Sequence, residues 1–134
     1  MRTAMAFGTF DLLHPGHIYY LKKARELADR LVVVVARDEN VLRAKGRKPL
    51  HNEKERLAQI QGLEMADEAI LGDREMRKWG IIKRFHPTVI ALGYDQSIAI
   101  PSLQKELKEL GLSPEIKRIG SFKPEKYKSS KLRK

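Results

Sequence analysis

The sequence predicts an α/β fold: a single Rossmann-like, doubly wound domain built on a five-stranded parallel sheet. Three observations carry that prediction. Leu31–Ala36 (LVVVVA) is a continuous, largely β-branched run, as in a strand buried on both faces. Other short apolar segments of strand length recur along the chain. Stretches of helical periodicity lie between them, and strands alternating with helices imply βαβ units. Right-handed crossovers wind such units into an open sheet with helices on both faces.

The elements follow in order. Thr3–Phe7 is apolar and stops at Gly8. From Gly16 to Ala28, the residues Ile18, Leu21, Ala24, Leu27 and Ala28 fall on one helical stripe. Leu31–Ala36 is the second strand. Asn52 followed by Glu55 forms a capping-box-like start, with Leu57, Ile60 and Leu63 on the apolar face behind it. Glu68–Leu71 is a third strand. Asp73 can cap a helix carrying Met76, Trp79, Ile82 and Phe85, which His86-Pro87 stops. Thr88–Leu92 is a fourth strand. Ser102 precedes Leu103, Leu107 and Leu110, and Gly111 suits the stop. Glu115–Ile119 is a fifth strand, with Ile116 and Ile119 as its apolar residues. Ser121–Lys128 reads as a loop leading into a last, very short helix. No repeat and no domain boundary interrupts residues 1–134, so one domain is expected, with a basic segment at 121–134.

Composition excludes several classes. Hydrophobic residues make up 42% and charged residues 33%, which is not a disordered composition. No apolar run approaches the ~20 residues of a membrane helix. The first residues lack a signal peptide's apolar stretch, so the expected compartment is the cytoplasm. Cysteine is absent, which excludes disulfides, thiolate metal sites and a cysteine nucleophile. The net charge of +10 is unevenly spread: Lys117–Lys134 carries eight Lys or Arg against Glu125 alone. Arg43, Lys45, Arg47 and Lys48 form a second basic cluster around Gly46, with Lys45, Arg47 and Lys48 expected in a flexible loop after the second strand. Such clusters are solvated surfaces, nucleic-acid surfaces or polyphosphate pockets.

Ligands of a doubly wound sheet bind at the carboxyl ends of its strands. The first such end reads Gly8-Thr9-Phe10-Asp11-Leu12-Leu13-His14-Pro15-Gly16-His17. It contains neither G-x-G-x-x-G nor a P-loop. It does place His-x-Gly-His where a helix begins. Pro15 suits the first helical turn, and Gly16 lets a ligand approach the backbone closely. The helix start offers unpaired N–H groups and a positive dipole end to an anion, and two imidazoles add donors. That combination suits charge developing on a phosphoryl group. Two histidines at this spacing also suit a metal pair, but no third ligand lies at comparable spacing, and no metal-binding residues are assigned.

The segment Gly8–His17 resembles the signature of the HxGH nucleotidylyltransferases, specifically the cytidylyltransferase-like branch. Ala36-Arg37-Asp38-Glu39, Lys45-Gly46-Arg47-Lys48-Pro49 and Leu92-Gly93-Tyr94-Asp95-Gln96 resemble the archaeal-type FAD synthases within it. The resemblance implies transfer of AMP from ATP to FMN, giving FAD and pyrophosphate by direct attack of the acceptor phosphate on the α-phosphate. Catalysis would be positioning and charge stabilisation. His14, His17 and Lys45 would act on the reacting phosphates. Thr9, Phe10, Pro15, Gly16, Gly93, Asp95, Arg118, Ser129, Ser130 and Lys131 would bind the nucleotide. Asp11 is expected to hold its loop through backbone N–H groups. Arg56 matches a basic residue of the cytidylyltransferases, or pairs with Glu53 or another nearby acid. Trp79, Tyr20, Tyr94 and Phe122 are the aromatics available to a flavin, with core packing the default for Trp79.

The resemblance also implies a divalent cation (Mg²⁺, Mn²⁺ or Co²⁺) held mainly through the nucleotide phosphates, a homodimer, and neither a membrane nor a specific nucleic acid as partner. Family members usually continue the last helix, whereas this chain ends four residues after Ser130. Two alternatives are a cytidylyltransferase using CTP with glycerol 3-phosphate or another phosphomonoester, and a non-catalytic nucleic-acid-binding module using the basic tail.

Overall fold

The computed structural model describes residues 2–75, 79–93, 96 and 99–120. Ten elements are defined among them: β1 (Thr3–Gly8), α1 (Pro15–Arg25), β2 (Arg30–Val35), α2 (Asp38–Lys45), α3 (Glu53–Gly62), β3 (Glu68–Leu71), α4 (Gly80–Phe85), β4 (Val89–Leu92), α5 (Ile100–Glu109) and β5 (Glu115–Arg118). The strands form one sheet in the order β3-β2-β1-β4-β5, and every pairing is parallel. The chain starts in the middle, winds outward to β3, then returns to place β4 beside β1. The loops after β1 and β4 therefore diverge from neighbouring strands, which opens the crevice where such sheets bind ligands.

Alternation along the strands divides the interior into two apolar layers. Ala4, Ala6, Leu31, Val33 and Val35 face Leu21 and Ala24 of α1 and Ile60 of α3. Met5, Val32, Val34, Ile90 and Leu92 face Ile82 of α4 and Leu103 and Leu107 of α5. The valine run of β2 is buried on both faces, as its lack of polar alternation implies.

The five expected strands all form, and Glu68–Leu71 has the expected bounds. Asn52 caps α3 reciprocally: its Oδ1 accepts from Glu55 N at 2.8 Å, and Glu55 Oε1 accepts from Asn52 N at 2.9 Å. Gly111, at φ 81°, follows α5 in the left-handed conformation that favours glycine.

Two expectations are corrected. Lys45 is not in a loop but closes α2, which Gly46 ends at φ 78°. Of the eight residues of α2 only Val41 is buried, so the helix carries almost no apolar stripe to read. Its signature is charge instead: Asp38 and Glu39 in the first turn, Arg43 and Lys45 in the last. The helix expected from Asp73 starts later, at Gly80, because Trp79 adopts a left-handed backbone (φ 56°). The N-cap position is therefore Trp79 and not Asp73, although Asp73 Oδ2 still accepts from Ile81 N in the first turn at 3.2 Å. Met76 lies outside the described residues. Among the described residues no helix is long and apolar enough to cross a membrane.

Candidate active site

The loop after β1 is folded around the Phe10 ring. That ring is 2% exposed, stacks on Tyr20 at 6.4 Å and meets His17 edge-on at 5.6 Å. It also covers Gly8, where a Cβ would come within 2.6 Å of Phe10 Cζ. To place the ring there, Phe10 takes a left-handed backbone (φ 56°), and Leu12 does the same at φ 52°. Each such residue costs roughly 1–2 kcal/mol, offset here by burial of the aromatic ring. The Phe10 side chain thus belongs to the core, which leaves only its backbone for the binding role expected of it.

His14 is the N-cap of α1 and Pro15 opens the helix. His14 Nδ1 accepts from Gly16 N at 3.0 Å, and His17 Nδ1 accepts from His14 N at 3.3 Å. The two rings stack at 3.9 Å, inclined by 24°. The local packing itself calls for glycine at position 16, since a Cβ there would lie 2.8 Å from His14 Cε1. A nitrogen that accepts a hydrogen bond carries no proton, so each neutral ring holds its proton on Nε2. The local backbone therefore sets the tautomer and makes both Nε2 atoms donors beside a helix N-terminus.

Arg56 braces this loop from behind. It is fully buried, and its guanidinium donates to Thr9 O (2.8 Å), His51 O (2.9 Å) and Asp38 Oδ1 (2.7 Å). Its acid partner is Asp38, not Glu53. Glu53 instead accepts from Asp38 N at 2.8 Å, while Asp38 Oδ2 accepts from Glu53 N at 3.1 Å. Arg37 joins the same network through Gly72 O at 2.7 Å and Glu53 Oε2 at 3.5 Å.

Asp11 makes backbone bonds, as expected, but across to another loop. Its carboxylate accepts from Leu50 N at 2.8 Å and His51 N at 3.1 Å. Burial pushes this carboxyl up, but the Leu50 and His51 N–H groups and the His51 imidazole, 3.4 Å away, more than reverse it. Its pKa lies below the ordinary carboxylate value. A depressed carboxylate contributes stability above its unfolded pKa, near ~3.9, and loses it as pH falls through the folded value. Asp11→Asn should therefore melt below wild type at pH 7, with the gap closing as pH falls from ~4 to ~2. A gap that stays constant across that range would contradict the tie.

The switch point is closed by a residue that sequence reasoning quoted but gave no role. Gln96 Oε1 accepts from Gly93 N at 2.9 Å, and Gln96 Nε2 donates to Phe7 O at 2.7 Å. This joins the end of β4 to β1. Arg118 Nη1 donates to Gly93 O at 3.1 Å and Gln96 O at 2.7 Å, adding β5. No local pattern distinguishes such a glutamine; its only sequence signal is its place three residues after Gly93.

Thr9, Phe10 and His14 thus lie in the loop after β1 and Pro15, Gly16 and His17 in the first turn of α1, and Gly93 and Arg118 stand at the adjacent ends of β4 and β5. Lys45 lies on the opposite flank, exposed at the end of α2. Asp95, Ser129, Ser130, Lys131, Tyr94 and Phe122 lie outside the described residues. Two aromatics belong to the interior. Tyr20 is 9% exposed and its hydroxyl donates to Ala91 O at 2.6 Å. Trp79 packs in the second apolar layer, and its Nε1 donates to Glu106 Oε1 at 3.0 Å. Among the described residues no three His, Asp or Glu side chains converge on a common point. The two histidine Nε2 donors and the start of α1 suit phosphate oxygens, and no carboxylate cluster for a metal ion accompanies them among the described residues.

A five-stranded parallel sheet in this order, with a stacked histidine pair at its first strand–helix junction, fits a nucleotidyltransferase. The profile described as cytidylyltransferase-like matches residues 5–134, and the chain belongs to that family. Within it, the chain is similar to proteins named FAD synthase. That of Thermococcus sibiricus is 41% identical over 126 residues, covering 93% of this chain and 85% of the relative. That of Thermoplasma volcanium is 44% identical over 135 residues, covering 100% of this chain and 93% of the relative. A crystal structure from Thermoplasma volcanium, described as a lipopolysaccharide core biosynthesis protein, superposes with a TM-score of 0.87 at 42% identity, covering 92% of this chain and 99% of that one. Family membership decides for an enzyme over a non-catalytic nucleic-acid module.

Proposed function

We propose that this chain is an FMN adenylyltransferase, making FAD and pyrophosphate from ATP and FMN. The observation that carries the reading is the stacked pair His14 and His17, with both Nδ1 atoms occupied by backbone N–H groups at the start of α1. The reading of the acceptor draws further support from the relatives named FAD synthase.

A phosphate oxygen of FMN attacks the α-phosphorus of ATP. The bond from that phosphorus to the bridging oxygen breaks, and pyrophosphate leaves with the electron pair. His14 and His17 donate from Nε2 to the phosphate oxygens on which charge accumulates, and the α1 N-terminus adds its dipole. The Thr9 and Phe10 backbone, Pro15 and Gly16 line the approach. Lys45 neutralises the phosphates from the α2 side. Gly93, Asp95 and Arg118 hold the nucleoside side, and Ser129, Ser130 and Lys131 take the outer phosphates. A divalent ion (Mg²⁺, Mn²⁺ or Co²⁺) supplies charge neutralisation of the triphosphate when bound. The reading includes a cytoplasmic homodimer, for which light scattering is the direct check of mass.

The test is to incubate the protein with FMN, ATP and each cation in turn and to separate the products by chromatography. FAD and pyrophosphate are expected from wild type, and less than about one hundredth of that rate from His17→Ala. Absence of FAD with all three cations would overturn the acceptor assignment. Pyrophosphate release from CTP with glycerol 3-phosphate would move the reading to that acceptor class.

A further inference from the structure

Four large apolar side chains are exposed among the described residues, and two of them, Leu12 and Leu50, are 51% and 77% exposed. They come from different loops, yet one residue holds both loops together. Asp11, the chain neighbour of Leu12, accepts from the Leu50 backbone N–H at 2.8 Å and from that of His51 at 3.1 Å. The two loops that carry the leucines are thereby tied together at Asp11, three residues upstream of His14. Leu12 is unfavourable there in two respects. Its side chain meets water, and its backbone is left-handed at φ 52°, a conformation that Asn or Gly accepts more easily. Backbone strain and exposed apolar surface that coincide at a catalytic loop point to a ligand.

We infer that Leu12 and Leu50 form the apolar shelf on which the acceptor's flat isoalloxazine ring lies, and so select a flavin over a small polar phosphomonoester. The inference rests on the FMN adenylyltransferase reading. The surroundings favour a ring on this shelf. His14, Lys45, Arg47 and Lys48 are exposed on the same end of the sheet and would attract phosphate, whereas the leucines offer nothing to phosphate or ribose. Tyr20 and Trp79, two of the described aromatics, are engaged in the interior.

Two variants and two readouts test it. Leu12→Asn removes the apolar surface and relaxes the backbone, and Leu50→Ser keeps the N–H that Asp11 binds. Each variant should raise the KM for FMN about tenfold, leave the KM for ATP within twofold, and melt no lower than wild type by more than a degree or two. Leu12→Asn should melt at or above wild type. Titration of flavin fluorescence gives the second readout without turnover. Riboflavin, which lacks the phosphate, should lose affinity in each variant by the same factor as FMN. An unchanged KM for FMN in both variants, with wild type still making FAD, would overturn the shelf alone. An equal rise in both KM values would show a general loop disturbance and overturn it as well. No FAD from wild type would remove the adenylyltransferase reading, and the shelf with it.

Discussion

Arg56→Met should lower the stability of the fold by about 3 kcal/mol, in the range seen when one partner of a buried ion pair is removed. The side chain has no exposure at all, and each of its three bonds reaches a different part of the site. Thr9 O belongs to the turn that leads to the histidines, His51 O to the loop that Asp11 binds, and Asp38 to the start of α2. Methionine fills most of the volume but donates nothing, so two carbonyls and a carboxylate lose their donor together. An unsatisfied buried acceptor costs roughly 1–3 kcal/mol. Lysine is expected to rescue little, because a single ammonium cannot span three acceptors as the planar fork does. In a thermal melt the change should appear as a fall of roughly 10 °C. A loss below about 1 kcal/mol by urea unfolding would mean that water replaces the guanidinium, and that the brace is weaker than its geometry.

His17→Ala and His14→Asn should each cut the rate of nucleotidyl transfer by about 10²–10³, the usual consequence of losing one oriented donor to a charged transition state. The two variants differ in what they leave intact. His14 is also the N-cap of α1, its Nδ1 accepting from Gly16 N. Asparagine caps a helix well, so His14→Asn should keep the fold while removing the Nε2 donor. His14→Ala should lose the same activity and about 1 kcal/mol of stability besides. Steady-state kinetics beside a thermal melt separates the two roles. Full activity in His14→Asn would show that His14 serves the helix alone, and would leave His17 as the sole imidazole donor.

The motif at Gly8–His17 was legible because its chemistry is local. The Nδ1 bonds that set the histidine tautomers span two and three residues, and the cap of α3 spans three. Helix starts of this kind leave their signature in adjacent residues whatever the rest of the chain does. The strands were legible for a similar reason. A run such as Leu31–Val35 can bury every side chain only between two covered faces, and its composition records that.

The bracing of the site was not legible, because it is made of contacts between residues far apart in sequence. Arg56 reaches Thr9 across 47 positions, Asp11 reaches Leu50 across 39, and Gln96 reaches Phe7 across 89. Each of these side chains had several candidate partners along the chain, and only the sheet order brings one of them to hydrogen-bonding distance. Helix α2 escaped for a related reason: it buries one residue, so it has no stripe for periodicity to detect. The left-handed conformations at Phe10 and Leu12 are likewise unsigned, since neither residue type favours them; at Phe10 it is burial of its own ring that offsets the cost. By itself, then, the sequence determined the alternation of strands and helices and the histidine pair at the start of α1, through patterns that hold over a few residues. Tertiary structure alone decided which side chains brace those groups and which leucines stand exposed beside them, because those outcomes depend on what the packed sheet brings together.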